Sequence, residues 1–244
     1  MWNAVVVAEK RRRYLAALLL LSALVGLIPA AGPVSADEPI QPGARMLRPH
    51  GCTLNFVFQG AADRTLYIGT AGHCTDVVGQ RVSTAAGEIG TVAFRVLEGT
   101  DDFAIIEIDE RLHALVSPKV RGLGGPTGST TAAGTTAGDR VMLYGHGMVY
   151  GSFEATRARS GLLTKDDAFE WFAALPAIFG DSGGPVLHGP SGAALGVISG
   201  VSADQTRPHT VMGTTIERAL ELLAEAGLPV ELKLATPDAA GGAE

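Results

Sequence analysis

The sequence predicts an all-β protein with a single helix close to its C-terminal end. Short runs rich in β-branched, aromatic and aliphatic residues recur along the chain, and glycine-rich turns separate them. The 32 glycines follow no three-residue repeat, which argues against a collagen-like chain. Many short strands between regular turns are typical of a β-sandwich or a β-barrel.

The start of the chain, residues 1–36, is typical of an export signal peptide. Lys10 and the three arginines after it form a basic start, and residues 15–28 form an uncharged apolar stretch. That stretch is shorter than the roughly 20 residues that a membrane-spanning helix needs. Small residues at 34–36 predict cleavage after Ala36, with an uncleaved anchor as the alternative.

The charge of the chain bears on its partners. The net charge is −6, and cleavage after Ala36 leaves 15 basic residues against 24 acidic residues. An acidic surface disfavours binding to anionic polymers such as nucleic acid. We therefore expect no nucleic-acid partner. We also expect a monomer and no stable membrane association after signal cleavage.

Ten strands are predicted in two groups, on either side of a connector at residues 122–138 that is rich in Gly, Thr and Ala. Residues 37–49 contain three prolines and are predicted to form a flexible N-terminal segment before the first strand. Residues 54–58 alternate in polarity, as a half-buried strand does. The predicted strands are 54–58, 65–70, 88–96, 103–108, 140–144, 151–157, 169–174, 185–188, 194–199 and one near Val211.

One helix is predicted over residues 214–226. Thr214 and Glu217 have the spacing of a capping box, and a Gly and a Pro after residue 226 provide a stop signal. Three apolar side chains share one face of this helix: Ile216, Leu220 and Leu223. Residues 230–244 are predicted to form a flexible tail.

The motif most indicative of chemistry is Gly-Asp-Ser-Gly-Gly-Pro at residues 180–185. Glycines on both sides of Ser182 allow a tight turn that exposes the hydroxyl and directs two backbone N–H groups the same way. Amide hydrolysis by serine requires such a hydroxyl, a neighbouring base, a group that orients the base, and donors for the developing oxyanion. An ordinary glycine-rich turn is the alternative, because this chain has many glycines.

His73 and Asp102 are the candidates for the base and its orienting group. His73 follows a predicted strand and precedes Cys74, and a disulfide from Cys74 to Cys52 would support its ring. Asp102 begins an apolar strand, so its carboxylate would be partly buried and suited to hold an imidazole tautomer, with Asp101 as the rival. The other histidines have no comparable setting: His50, His113, His146, His188 and His209.

Together these motifs resemble those of the chymotrypsin-like (trypsin-like) serine protease family, in particular its compact secreted bacterial branch. The chain order His, Asp, Ser is that of this family and differs from the order in subtilisins and α/β-hydrolases. Residues 71–74 match its Ala-(Ala/Gly)-His-Cys motif, and residues 180–185 match its serine motif without a change. The resemblance covers residues 50–229. It implies two six-stranded antiparallel β-barrels, at about 50–121 and 139–213, and a closing helix.

The resemblance also implies a serine endopeptidase that works through an acyl-enzyme on protein or peptide substrates. Ser182 would attack the scissile carbonyl, His73 would take and return the proton, and Asp102 would orient His73. The backbone N–H groups of Gly180 and Ser182 would form the oxyanion hole. Cys52 would pair with the cysteine after His73 in a disulfide.

The specificity pocket departs from the pattern of trypsin-like enzymes. Pro176 stands six residues before Ser182, where those enzymes have an Asp. The resemblance assigns five substrate-binding residues: Ala177, Phe179, Ser199, Gly200 and Val201. A largely apolar pocket predicts a small or medium apolar side chain before the cleaved bond.

Asp181 also lacks the partner that relatives give it. No Ile-Val-Gly-Gly-like start precedes Cys52, and Leu143 occupies the place of the internal arginine of bacterial members. Three basic residues are candidate partners: Arg140, Arg157 and Arg159. A catalytically silent or latent protein that binds peptides in the same groove is the alternative function, and an esterase is a third.

No cofactor is expected. Two cysteines are too few for a Cys-based zinc site, and the histidines are scattered along the chain, so we expect no metal. The sequence also indicates no nucleotide or redox group.

Overall fold

The computed structural model of the chain describes residues 39–201 and 210–236. The predicted signal peptide and the last part of the predicted tail, residues 237–244, lie outside the described residues. The described chain forms fifteen strands and one α-helix, so the all-β prediction is confirmed. Two larger sheets, each with its own buried core, account for thirteen of these strands.

The first large sheet contains six antiparallel strands. Its strands are β3 (Val57–Gly60), β4 (Leu66–Thr70), β5 (Arg81–Thr84), β6 (Gly87–Glu98), β7 (Asp101–Ile108) and β15 (Val230–Leu232). They are hydrogen-bonded in the order β15-β3-β4-β7-β6-β5. Bulges in β5–β6 and β6–β7 help the sheet to curl into a barrel-like form around aromatic and aliphatic side chains. The strand predicted at 54–58 is different: all five of these residues are fully buried rather than alternating.

The second large sheet contains seven strands, one more than predicted. They are β8 (Arg140–Tyr144), β9 (Ala158–Asp166), β10 (Glu170–Ala174), β11 (Pro185–His188), β12 (Ala194–Val197), β13 (Gly200–Val201) and β14 (Thr210–Thr214). Their order is β12-β11-β8-β9-β10-β14-β13. Trp171, fully buried, lies in the core of this sheet. The predicted strand at 151–157 is wrong, because those residues lie in two short 3-10 turns, Tyr150–Ser152 and Glu154–Thr156.

The N-terminal segment predicted to be flexible is packed from its first described residues onward. Ile40 is buried and forms a parallel bridge with Val116. Strand β1 (Arg45–Met46) pairs with β2 (Cys52–Thr53) in a separate two-stranded sheet. The prediction failed here because three buried apolar side chains, Ile40, Ala44 and Met46, are enough to hold the segment against the rest of the protein.

Two corrections apply at the C-terminal end. The helix α1 spans Ile216–Glu225, and its N-cap is Thr215, whose hydroxyl accepts the Arg218 N–H at 3.1 Å. The predicted capping box of Thr214 and Glu217 is therefore wrong by one residue at its first position.

The predicted flexible tail is also wrong over its first part, because β15 pairs with β3 along the edge of the first large sheet.

Candidate active site

His73 and Asp102 are brought into direct contact. His73 lies in a 3-10 turn, Gly72–Cys74, that directly follows β4, and Asp102 lies in the neighbouring strand β7. Asp102 Oδ2 is 2.7 Å from His73 Nδ1, and Asp102 Oδ1 accepts the backbone N–H of His73 at 2.8 Å. Because Asp102 is only 7% exposed, this carboxylate is held largely away from water. It fixes both the ring and the backbone of the same histidine.

The residues around this pair explain why Asp102 and not Asp101 faces the histidine. Asp101 forms a bidentate ion pair with Arg218 of α1, at 3.0 and 2.9 Å. Thr214 Oγ1 accepts the backbone N–H of Asp102 at 3.0 Å. Gly72 is required by close packing, because a Cβ at this position would lie 1.9 Å from the carbonyl oxygen of Val96.

The predicted disulfide joins Cys52 to Cys74, with a Cα–Cα distance of 6.2 Å. One ring nitrogen of His73 and both sulfurs lie within 4.8 Å of one another, so the bridge directly supports the turn that carries the histidine. The sulfurs are bonded to each other and are not free to ligate a metal. A disulfide also favours an oxidising, extracellular compartment.

The loop before Ser182 has the shape that two aligned N–H donors require. Residues 178–181 form a turn in which the Asp181 N–H donates to the Ile178 carbonyl at 3.0 Å. Gly180 has a φ of +100°, which side chains other than glycine rarely adopt. Among the described residues, the backbone N–H groups of Gly180 and Ser182 have no hydrogen-bond acceptor. Both donors therefore remain available to a bound group.

The partner of Asp181 is Arg159, one of the three candidates. Their two hydrogen bonds measure 2.5 and 2.8 Å. The Asp181 side chain is 0% exposed and the Arg159 side chain is 7% exposed. Asp181 also accepts backbone N–H groups from Gly147 and Ile178, at 2.7 and 2.9 Å. Arg159 is in β9, so a strand of the second large sheet provides the cation that the sequence did not assign.

Ser182 lies against the segment that leads to His73. The Thr53 N–H donates to the Ser182 carbonyl at 2.9 Å, and Asn55 Nδ2 donates to the Gly183 carbonyl at 3.0 Å. A Cβ on Gly183 would lie 2.9 Å from the Ala71 nitrogen, two residues before His73. Among the described residues, no hydrogen bond joins the Ser182 side chain to His73. Such bonds are often long in unliganded enzymes and tighten when substrate binds.

The predicted substrate-binding residues lie on both sides of the Ser182 loop. Gly183 and Ile198 are hydrogen-bonded at 2.7 Å, which places the chain leading to Ser199 beside the serine motif. Gly200 and Val201 form β13 at the sheet edge, and Ser199 Oγ is buried without a partner among the described residues. Phe179 is 79% exposed, whereas Ala177 packs against the second core.

A partly buried histidine that the sequence did not single out, His146, lies beside the site. Its Nε2 is 3.0 Å from the Gly43 carbonyl oxygen, and its backbone precedes the Gly147 N–H that binds Asp181. Burial is the largest cause that lowers the pKa of His146 to about 4; nearby arginines, among them Arg157, act in the same direction, and the hydrogen bond to Gly43 opposes them. The ring is therefore neutral at physiological pH.

Comparison with solved structures places the fold among bacterial serine proteases. Thermobifida fusca protease A superposes with a TM-score of 0.58 and is 25% identical, covering 81% of this chain and 99% of that protein. Nocardiopsis protease superposes with a TM-score of 0.59 at 23% identity, with coverages of 81% and 100%. Cellulomonas bogoriensis chymotrypsin superposes with a TM-score of 0.52 at 21% identity, covering 80% of this chain and 98% of that protein. No protein-family model and no curated protein sequence matches the chain.

The protein therefore has the chymotrypsin fold. The likeness to Thermobifida fusca protease A, which spans nearly the whole of that enzyme, supports serine endopeptidase activity for this chain and, with it, protein or peptide substrates. Among the described residues, no helix is both long enough and apolar enough to span a bilayer.

Proposed function

We propose that this chain is a secreted serine endopeptidase in which His73, Asp102 and Ser182 act as a catalytic triad. The observation that carries the proposal is the double contact of Asp102 with His73, at 2.7 and 2.8 Å, beside a serine loop with two unoccupied N–H donors. Export by the signal peptide at residues 1–36 fits the disulfide between Cys52 and Cys74.

In the proposed mechanism the roles follow from these contacts. Asp102 holds Nδ1 of His73 protonated, which leaves Nε2 as the base that takes the Ser182 proton. Ser182 Oγ then attacks the scissile carbonyl, and the negative oxygen that forms is bound by the N–H groups of Gly180 and Ser182. His73 passes the proton to the leaving amine. A water then attacks the acyl-enzyme while His73 takes its proton, and His73 returns that proton to Ser182 Oγ as the carboxylic acid product leaves.

A small or medium apolar residue before the scissile bond is the proposed preference. Pro176 stands where a trypsin-like enzyme has an Asp, and Arg159 Nη1 donates to the Pro176 carbonyl at 3.1 Å. Without that carboxylate, the position has no group of opposite charge to pair with a basic substrate side chain. Of the residues that the family resemblance assigns to substrate binding, Ala177, Phe179 and Val201 have apolar side chains. Cleavage confined to sites after Lys or Arg in a peptide-library digest would refute this preference.

Reaction with a fluorophosphonate tests the triad directly. The purified protein should be labelled at Ser182, whereas Ser182→Ala should not be labelled and His73→Ala should react at least 100-fold more slowly. The probe requires an activated serine, because an unactivated hydroxyl reacts poorly. Hydrolysis of peptide amides by the same preparation then separates an endopeptidase from an esterase, which would cleave only esters.

A latent or silent protein is the second candidate. It is favoured by one observation, the lack of a hydrogen bond between the Ser182 side chain and His73 among the described residues. A folded protein that resists both the fluorophosphonate and a peptide library would support this candidate and refute the first.

A further inference from the structure

We infer that Thr53 is a positioning residue that holds the oxyanion hole of the proposed protease in its active shape. This inference rests on the proposed function. Thr53 is in β2, directly after the disulfide-bonded Cys52, and it matches no motif of catalysis. It contacts no substrate position itself, so it would act through the backbone of Gly180 and Ser182.

The Thr53 hydroxyl is fully buried and makes two hydrogen bonds. Its Oγ1 donates to the Gly180 carbonyl at 2.8 Å and accepts the backbone N–H of His146 at 3.1 Å. A hydroxyl has one hydrogen to donate, so the bond to Gly180 uses its full donor capacity. The His146 N–H orients the oxygen, and that residue is itself tied to Gly43 through its ring.

The backbone of Thr53 holds the other end of the same loop. Its N–H donates to the Ser182 carbonyl at 2.9 Å, and its carbonyl accepts the Thr70 hydroxyl at 3.1 Å. One residue therefore fixes the carbonyl groups of both Gly180 and Ser182. These are the two residues whose N–H groups are free to bind an oxyanion.

The loop needs such support because Gly180 does not hold its own conformation. A glycine populates positive and negative φ almost equally, so the peptides on either side of it rotate easily unless they are held. On one side, the Phe179 carbonyl accepts the Met148 N–H at 2.8 Å. On the other side, the Gly180 carbonyl is held by Thr53. With both carbonyls held, the Gly180 N–H is left pointing to an open position.

Threonine suits this role better than the side chains of similar size, valine and serine. Its β-branched side chain has few rotamers, so the hydroxyl direction is fixed at little entropic cost. Valine has almost the same shape without the hydroxyl, and serine has the hydroxyl without the branch. These two substitutions therefore separate the hydrogen bond from the packing.

The test compares Thr53→Val, Thr53→Ser and wild type on a peptide substrate, with rates per site titrated by fluorophosphonate. We expect Thr53→Val to lower kcat about 10- to 100-fold with KM within about twofold, because misplacing an oxyanion donor acts on the transition state. Thr53→Ser should recover most of the loss. The pH profile should be unchanged, because His73 and Asp102 are untouched.

Two further measurements distinguish positioning from general stability. A peptide aldehyde, whose adduct puts an oxyanion in the hole, should bind Thr53→Val more weakly by about the factor lost in kcat/KM. The control is Thr84→Val, which removes another buried hydroxyl that accepts the Ala86 N–H at 3.1 Å. It should leave kcat unchanged. If Thr53→Val does not fold, Thr53→Ser against Thr53→Ala on the same readouts decides the question.

The outcomes are separable from those of the proposed function. An inactive, unlabelled wild type would overturn the proposed function and this inference with it. An active wild type with an equally active Thr53→Val would overturn the role of Thr53 alone. A loss in Thr53→Val that appears in KM, or that Thr53→Ser shares in full, would also overturn it.

Discussion

The ion pair of Arg159 and Asp181 illustrates how much depends on single residues in this protein. Asp181 is fully buried, and within the part of the chain that the structure describes its charge is compensated by Arg159 and two backbone N–H groups. Removal of one partner from such a pair typically costs about 3–5 kcal/mol, because the other charge stays buried without compensation. The pair also anchors the turn that precedes Ser182, so stability and activity are linked here.

Arg159→Met should lower the free energy of unfolding by about 3 kcal/mol and reduce kcat by at least 100-fold. Denaturant unfolding and steady-state kinetics would measure the two effects. Arg81→Met is the matched control, because Arg81 pairs with Asp109 at the surface and exposed pairs contribute at most about 1 kcal/mol. Equal effects of the two substitutions would contradict the role given to Arg159.

Among single residues, the sequence singled out His73, Asp102 and Ser182 because their three motifs occur together in the chain order of one family, although the Asp102 motif alone is weak. It could not rank the candidate partners of Asp181, since the choice depends on which strand passes behind the loop. Thr53 was missed for a similar reason. Its role lies in a contact with Gly180, which is 127 residues away in the chain.

Among the elements, α1 shows how a local signal is shifted by tertiary contacts. Two threonines, Thr214 and Thr215, precede the helix, and both are compatible with an N-cap. The Thr214 hydroxyl already accepts the Asp102 N–H, so Thr215 caps the helix instead. The Thr215 hydroxyl also donates to the Ala168 carbonyl at 2.8 Å. The sequence could not show that the first threonine was already committed.

Thr215→Ala should destabilise the protein by about 1 kcal/mol, because it leaves a helix N–H and the Ala168 carbonyl without their partner. Thr215→Ser keeps the oxygen and should lose less than half as much. Thermal or urea unfolding would measure both. If the two variants were equally destabilised, the methyl group rather than the cap would be the stabilising feature.

Strand predictions succeeded where an apolar run is bounded by turns, as at Arg140–Tyr144 and Pro185–His188, which are correct at both ends. They failed at 151–157, where Phe153 is 70% exposed and apolar residues do not signal a core. They also failed at Val230–Leu232, because a three-residue edge strand carries almost no periodicity of its own.

For the molecule as a whole, the pH dependence of stability should include a contribution from His146. Its pKa is about 4 in the folded protein and near 6.5 when unfolded. The unfolded chain therefore binds the proton more readily, so the contribution is complete above about pH 6.5 and is lost as the pH falls toward 4.

Between about pH 6.5 and pH 4, we expect protonation of His146 to lower the free energy of unfolding by about 2–3 kcal/mol. Comparison of unfolding free energies at pH 7 and pH 4.5 would measure it. His146→Gln has no titrating ring and should show a correspondingly smaller difference between the two pH values. A difference as large as that of wild type would assign the acid sensitivity to other groups.

The pairing of β15 with β3 has a consequence for how the protein is made. Val230 lies opposite Gly60, so the first large sheet is completed by a strand that is synthesised some 170 residues later. While the chain is being synthesised, the edge of β3 stays unpaired until the last strand has been made. The same sheet contains β7, the strand of Asp102, so the sheet that carries half of the His73–Asp102 contact is completed only by the C-terminal end of the chain.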